Sequence, residues 1–167
     1  MINANGILIE KHYESLNDGD LKMIGLQPKM DACGIWTEGW GHAMTDVHGN
    51  FIKGIANKTL AYSLNKVTTE QQADTLLIAD NKIAELFVRR HLTVEVIDNM
   101  LSALIVHTMN TGGSHDLISL VNQQSPSLFD WWCNHYITGQ GKPLLGLKYR
   151  RKTEAIFAIK GVIQYFN

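Results

Sequence analysis

The strongest constraint on the fold of this chain is the change of pattern at Thr69-Glu70-Gln71-Gln72. A threonine followed three residues later by a glutamine forms a capping box, in which each side chain satisfies an amide left bare at the start of a helix. Behind it, Ala73, Leu76, Leu77, Asp80, Ile83, Ala84 and Phe87 recur at three- and four-residue spacing. That period predicts one long helix from residue 69 to about Arg90. In front of it, from Leu21 to about Phe51, glycine, β-branched and aromatic residues occur without a 3.6-residue period. This stretch predicts a small antiparallel sheet, turning near Gly25-Leu26-Gln27-Pro28 and Val47-His48-Gly49-Asn50. A sheet before a long helix, with helices after it, defines an α+β chain.

The remaining elements fit that plan. A short helix is expected over Ile7 to Glu14, with Ile7, Leu8 and Tyr13 available for a core and Asn17-Asp18-Gly19 stopping it. Past the long helix, Ile97, Met100, Leu101, Leu104 and Ile105 mark one apolar helix face, which Asn110-Thr111-Gly112-Gly113 ends. Helices follow over about 114–124, 126–136 and 145–160, with a loop from Thr138 to Pro143. At 167 residues this makes one domain, 1–167. Its expected parts are a β-rich lobe at about 15–65, a linking helix at 69–90, and a helical lobe at 92–167 packed with the N-terminal helix.

Bulk properties narrow the function. A hydrophobic content of 45% with 19% charged residues belongs to a folded globular chain. No apolar run approaches the roughly 18 residues of a membrane span, so no membrane insertion is expected. Met1 to Gly6 shows no secretory signal pattern. Cys33 and Cys133 have no metal or redox spacing and read as reduced, partly buried thiols, a single disulfide being the alternative outside the cytosol. Charge is uneven: residues 1–50 hold seven acids against three lysines, and residues 139–167 hold six cations against Glu154 alone. The basic rear is either a field that orients an anionic polymer or a solvated helix face. Few aromatics interleave with it, which argues against nucleic acid.

The candidate chemistry begins with Glu14 and Asp31. Hydrolysis of a glycosidic bond needs one carboxyl group to give a proton and a second to act as a carboxylate. Glu14 follows Tyr13 at the end of an amphipathic segment, where partial burial is expected. Asp31 sits in the glycine-rich region, more exposed, with Thr37 nearby. Taken alone, two acids among sixteen are better explained as solvated surface groups. A rival chemistry pairs Cys33 with His42 as a cell-wall amidase or peptidase, but Cys33 precedes a glycine in a strand-like run and not a helix start. His42, His48, His107 and His115 lack a helical His-x-x-x-His pair, so no metal is expected. Of Trp131 and Trp132, at least one belongs in a core.

Context decides between these readings. Tyr13-Glu14-Ser15 after Lys11, then Asp31 and Thr37 with five residues between them, then Thr37-Glu38-Gly39-Trp40-Gly41-His42, resemble the catalytic stretch of the phage-type lysozymes, the endolysins of glycoside hydrolase family 24. The Thr69-to-Asp80 helix start, Met109-Asn110-Thr111-Gly112, and Gly141-Lys142-Pro143-Leu144-Leu145-Gly146-Leu147 with Arg150-Arg151 are similar to three further family segments, in the right order.

The resemblance implies a lysozyme-like fold, with a small sheet lobe and a larger helical lobe joined by a long helix. It implies a muramidase acting on bacterial peptidoglycan, with inversion and no cofactor. Glu14 would be the general acid, Asp31 the carboxylate that activates water, and Thr37 the hydroxyl that holds it. An inverting pair stands about 6.5–9.5 Å apart to admit that water. Asn110, Gly112, Gly141 and Lys142 would contact substrate, and His42 would form a structural ion pair with Asp80. A monomer is expected, held in the host cytoplasm until a holin-like partner gives it access to the periplasm and wall. The alternative from another class is a non-catalytic wall-binding or structural module of the same fold. One departure stands out: sixteen residues separate Glu14 from Asp31, twice the family's eight, which places an extra loop between Asn17 and Leu26. Loop extension is cheap in closure entropy, about 0.6 kcal/mol per doubling, so the fold tolerates it.

Overall fold

The computed structural model describes residues 1–16, 19, 26–31, 33–139 and 141–166. The expected turn at Gly25 and most of the extra loop lie outside these residues. The chain divides into two compact units, Glu14–Asp80 and Met1–Tyr13 with Asn81–Asn167. The division falls inside two helices, α1 (Ala4–Glu14) and α3 (Glu70–His91).

The first unit holds a three-stranded antiparallel sheet: β1 (Lys29–Met30), β2 (Trp36–Glu38) and β3 (His42–Ala43), in that order. Thr37 stands opposite Lys29 on one side and Ala43 on the other. Trp36, Met44, Ile52 and Ala61 form its core. Trp36 donates its ring N–H to the Gly54 carbonyl at 2.9 Å, so the buried indole keeps its hydrogen bond. A helix not foreseen from sequence, α2 (Lys58–Leu64), packs here. Its seven residues bury only Ala61, too little pattern to read as helical. Glu38, on β2, is buried. Its Oε2 accepts the Lys66 and Val67 amides at 2.7 and 3.0 Å, tying β2 to the segment before α3.

The capping box forms reciprocally. Gln72 Oε1 accepts the Thr68 and Thr69 amides at 2.9 and 3.1 Å, while the Gln72 amide donates to Thr69 Oγ1 at 3.3 Å. The 22-residue α3 buries Ala73, Leu77, Asn81, Ala84 and Val88. Ile83, expected on that face, is 69% exposed. It lies one position, or about 100°, round the helix from the true seam.

In the second unit, α4 (Asp98–Thr111) is buried at every position from Leu101 to Thr108. The single apolar face expected there understates it, because Ser102, His107 and Thr108 carry polar groups into the core. Around it stand α5 (His115–Asn122), α6 (Leu128–Asn134) and α7 (Leu145–Lys160), with α7 packed along both α4 and α6. The N-terminal helix starts at Ala4, earlier than expected, where Asn3 Oδ1 accepts the Gly6 amide at 3.0 Å as an N-cap. Ile9 is its fully buried apolar side chain, whereas Leu8, expected in the core, is 53% exposed. The segment expected as a loop forms a short hairpin, β4 (Thr138–Gly139) with β5 (Lys142–Pro143). Trp132 is core and Trp131 lies flat on His135, rings 4.0 Å apart. Two of the six rear cations, Arg150 and Arg151, are buried, so the basic rear is not one solvated face.

Candidate active site

Glu14 is the last residue of α1, half-buried, and its carboxyl lies directly on the Gly41 backbone. A Cβ added to Gly41 would stand 2.6 Å from Glu14 Oε2 and 3.2 Å from its Cδ. Gly41 also has φ +88°, a conformation that costs any other residue steric strain. The second glycine of the Gly39-Trp40-Gly41 turn is therefore there for close approach, and sequence reasoning did not assign it that role. Gly41→Ala is expected to displace the Glu14 carboxyl and to lower kcat by about 10- to 100-fold, since an ångström of misplacement at a reacting group has that scale. Steady-state cleavage of purified wall, beside a melting curve, measures it; unchanged kcat in a folded variant contradicts the placement.

Asp31 immediately follows β1, in the turn to β2. Its Oδ1 accepts the Cys33 and Ile35 amides, both at 2.8 Å, and its own amide donates to the Ile35 carbonyl at 2.8 Å. Gly34, at φ +79°, donates to the Asp31 carbonyl and completes the turn. Oδ2 takes no hydrogen bond among the described residues. The same turn recurs at Asp46: Oδ1 accepts the His48 and Asn50 amides at 2.9 Å, and Gly49 has φ +82°. The Asn50 amide is the largest of the contacts that hold the Asp46 carboxyl below its ordinary range. A turn-forming aspartate is thus a repeated device in this unit. Thr37, on β2, donates its hydroxyl to the Lys29 carbonyl at 3.0 Å. A hydroxyl has one hydrogen, so toward a water molecule Thr37 is an acceptor.

His42 Nδ1 lies 2.8 Å from Asp80 Oδ2, joining β3 to α3 within the same unit. The hydrogen bond to Asp80 raises the His42 pKa above its ordinary value, against a smaller opposing effect of burial. Because the folded value is the higher one, the pair's stabilisation is full below the unfolded histidine pKa near 6.5 and is lost as pH rises through the folded value. With the ring 35% exposed, solvent screening keeps that contribution to about 1 kcal/mol or less. His42→Gln is therefore expected to flatten the decline in melting temperature above neutral pH. A wild-type histidine that titrates at or below 6.5 by NMR would contradict the pairing.

The four expected substrate contacts lie in the other unit. Asn110 is half-buried near the end of α4 and accepts a hydrogen bond from Arg151 on its Oδ1. Gly112 caps α4 in the left-handed region at φ +78°, and Gly141 turns the β4–β5 hairpin at φ +76°. Lys142 is exposed on β5. Backbone geometry alone accounts for both glycines.

Cys33 and Cys133 are free thiols. Cys33 sits exposed in the Asp31 turn, not partly buried as expected, and no histidine contacts its sulfur among the described residues. Burial raises the Cys133 thiol pKa and disfavours its thiolate. Among the described residues no three histidine, cysteine or carboxylate side chains group to hold a metal ion. No helix among them is long and apolar enough to cross a membrane.

Solved structures share this fold. An endolysin from Escherichia coli O157:H7 phage FAHEc1 matches with TM-score 0.69 at 23% identity, over 98% of this chain and 96% of that one. The muramidase domain of SpmX from Asticaccaulis excentricus matches with TM-score 0.64 at 21% identity, over 95% and 97%. The active form of the P1 phage endolysin Lyz gives 0.64 at 20%, over 96% and 85%. At these identities the likeness concerns the fold. No curated protein sequence gives a significant match. The family model for phage lysozyme matches residues 22–154, a span that contains Asp31, Thr37, His42, Asp80 and Asn110 and begins after Glu14. With most of its length inside that match, the chain belongs to the phage lysozyme family and is a glycoside hydrolase of the muramidase type.

Proposed function

We propose that this protein cleaves the β-1,4 bond between N-acetylmuramic acid and N-acetylglucosamine in peptidoglycan, with inversion at the anomeric carbon. The observation that carries the reading is the Glu14 carboxyl packed on Gly41, on the connection between β2 and β3. It brings the candidate acid that precedes the family match onto the strand pair that bears Thr37. Glu14 protonates the leaving glycosidic oxygen as general acid. Asp31 and Thr37 both accept hydrogens, one through a carboxylate and one through a hydroxyl whose own hydrogen goes to Lys29. A water that gives both its hydrogens to these two acceptors turns a lone pair outward, toward the anomeric carbon. Proton transfer to Asp31 as the bond forms completes the inverting step.

Asn110, Gly112, Gly141 and Lys142 contribute contacts to the glycan strand or its stem peptide. The working form is a monomer, held in the host cytoplasm until a holin-like partner opens the route to the wall. Product analysis on purified peptidoglycan tests the reaction. New N-acetylmuramic acid reducing ends in the α-configuration, read by NMR within the first minutes, are expected. A β-anomer excludes inversion, and absence of new reducing ends excludes the muramidase.

A further inference from the structure

An ionic cluster lies wholly inside the helical unit, and its outer end is Asn110. Glu154 and Arg151 on α7 are both fully buried, and His107 on α4 is 1% exposed. Glu154 Oε2 lies 2.9 Å from Arg151 Nη1, 3.1 Å from His107 Nδ1 and 3.2 Å from the Trp132 ring nitrogen. Its Oε1 lies 3.2 Å from Arg150 Nε. From this anchor the Arg151 guanidinium crosses to α4, where Nη1 is 2.6 Å from His107 Nδ1 and Nη2 donates to Asn110 Oδ1. Burial alone raises the Glu154 pKa, but Arg151, with His107 and Arg150, holds it down at about 2. Burial lowers the His107 pKa, against the opposing hydrogen bond and charge of Glu154.

Stability does not explain such a cluster, because well-packed apolar side chains serve a core as well as buried ions do. Its geometry does accomplish one thing at the surface. An arginine has hydrogens to give and no lone pair to offer. Asn110 must therefore turn its oxygen inward, and its NH₂ group is the half of the amide left for a ligand. That Nδ2 makes no hydrogen bond among the described residues. A carboxamide next to water ordinarily presents either end; this one presents only donors.

We propose that Arg151, anchored by Glu154, is a positioning residue that locks the Asn110 amide as a hydrogen-bond donor, so that this position selects an amide carbonyl oxygen on the substrate. The inference rests on the muramidase reading for its choice of substrate. Peptidoglycan carries such oxygens on its N-acetyl groups and on its stem peptides, and the test separates the two.

Asn110→Asp keeps the shape and keeps an acceptor for Arg151, but it replaces the outward donor with an oxygen that repels a carbonyl. It is expected to melt no lower than wild type, to raise KM for wall fragments at least tenfold, and to change kcat less than threefold. Arg151→Lys keeps the charge beside Glu154 and loses the fork that reaches Asn110, so KM moves the same way if it folds. Titration of the ¹⁵N-labelled wild type reads the contact directly. A shift of the Asn110 side-chain NH₂ signals with N-acetylglucosamine oligomers assigns the N-acetyl carbonyl. A shift only with a muropeptide assigns the stem peptide.

No shift with either, or wild-type KM in Asn110→Asp, overturns the proposal. A wild type that cleaves walls alongside an equally active Asn110→Asp defeats this inference alone. A wild type that releases no reducing ends, yet shows the NH₂ shift, defeats the muramidase reading and leaves the donor site standing.

Discussion

Glu14→Gln is expected to lower turnover on purified peptidoglycan by about 10²- to 10⁴-fold, the range lost when a general acid is removed. Glutamine occupies nearly the same volume against Gly41, so the local packing survives, but it has no proton to give a leaving alkoxide. Stability moves the other way. Glu14 stands at the C-terminal end of α1, where the helix dipole disfavours a negative charge. Neutralising it at low ionic strength is expected to stabilise the fold by about 0.3–1 kcal/mol. A variant that is more stable and less active is the signature of a group placed for chemistry at a cost to the fold. Turbidity loss of outer-membrane-permeabilised Gram-negative cells and thermal melts measure the two effects. Equal lysis by wild type and variant removes Glu14 as the acid.

Asp31→Asn is expected to abolish turnover to a similar degree while leaving the turn intact. The asparagine oxygen accepts the Cys33 and Ile35 amides as the carboxylate does, and asparagine is well suited to such turns. What disappears is the negative charge that takes a proton from water. Asp46 supplies an internal control, since its side chain makes the same pair of amide contacts in the same unit. Asp46→Asn is expected to leave turnover unchanged. Asp31→Ala loses the turn contacts as well, so its melting temperature falls along with its activity. If Asp31→Asn retains wild-type turnover, Asp31 is a turn former like its counterpart, and water activation belongs elsewhere.

The paired aspartate turns show what local sequence encodes well. Asp, two residues, Gly and one more residue close a turn through contacts that never leave five positions, so both copies form. The Asp31-to-Thr37 spacing is legible for the same reason, because one hairpin carries both. Residues 69–90 are legible because 22 residues of one period, opened by a capping box, leave no competing pattern. Short elements are not: α2 has seven residues and buries one. Ile83 misled because hydrophobicity says a residue prefers burial, while the neighbouring elements decide which side of a helix receives it.

The rear charges mark the limit more sharply. Arg150 and Arg151 read as part of a basic surface, although Glu154 at the i+4 and i+3 positions was a signal that they pair on their own helix. That His107, 47 positions before Glu154, completes the cluster and closes them off from water is not a property of any local segment. The chain by itself determined its family, its main helices and the hairpin that holds Asp31 and Thr37, because periodicity, caps and turns are short-range and additive. Only the tertiary structure decided that Glu14 rests on Gly41, that His42 meets Asp80, and that Arg151 reaches Asn110. Each of these depends on close approach or exclusion of water between elements distant in sequence, and no local pattern records it.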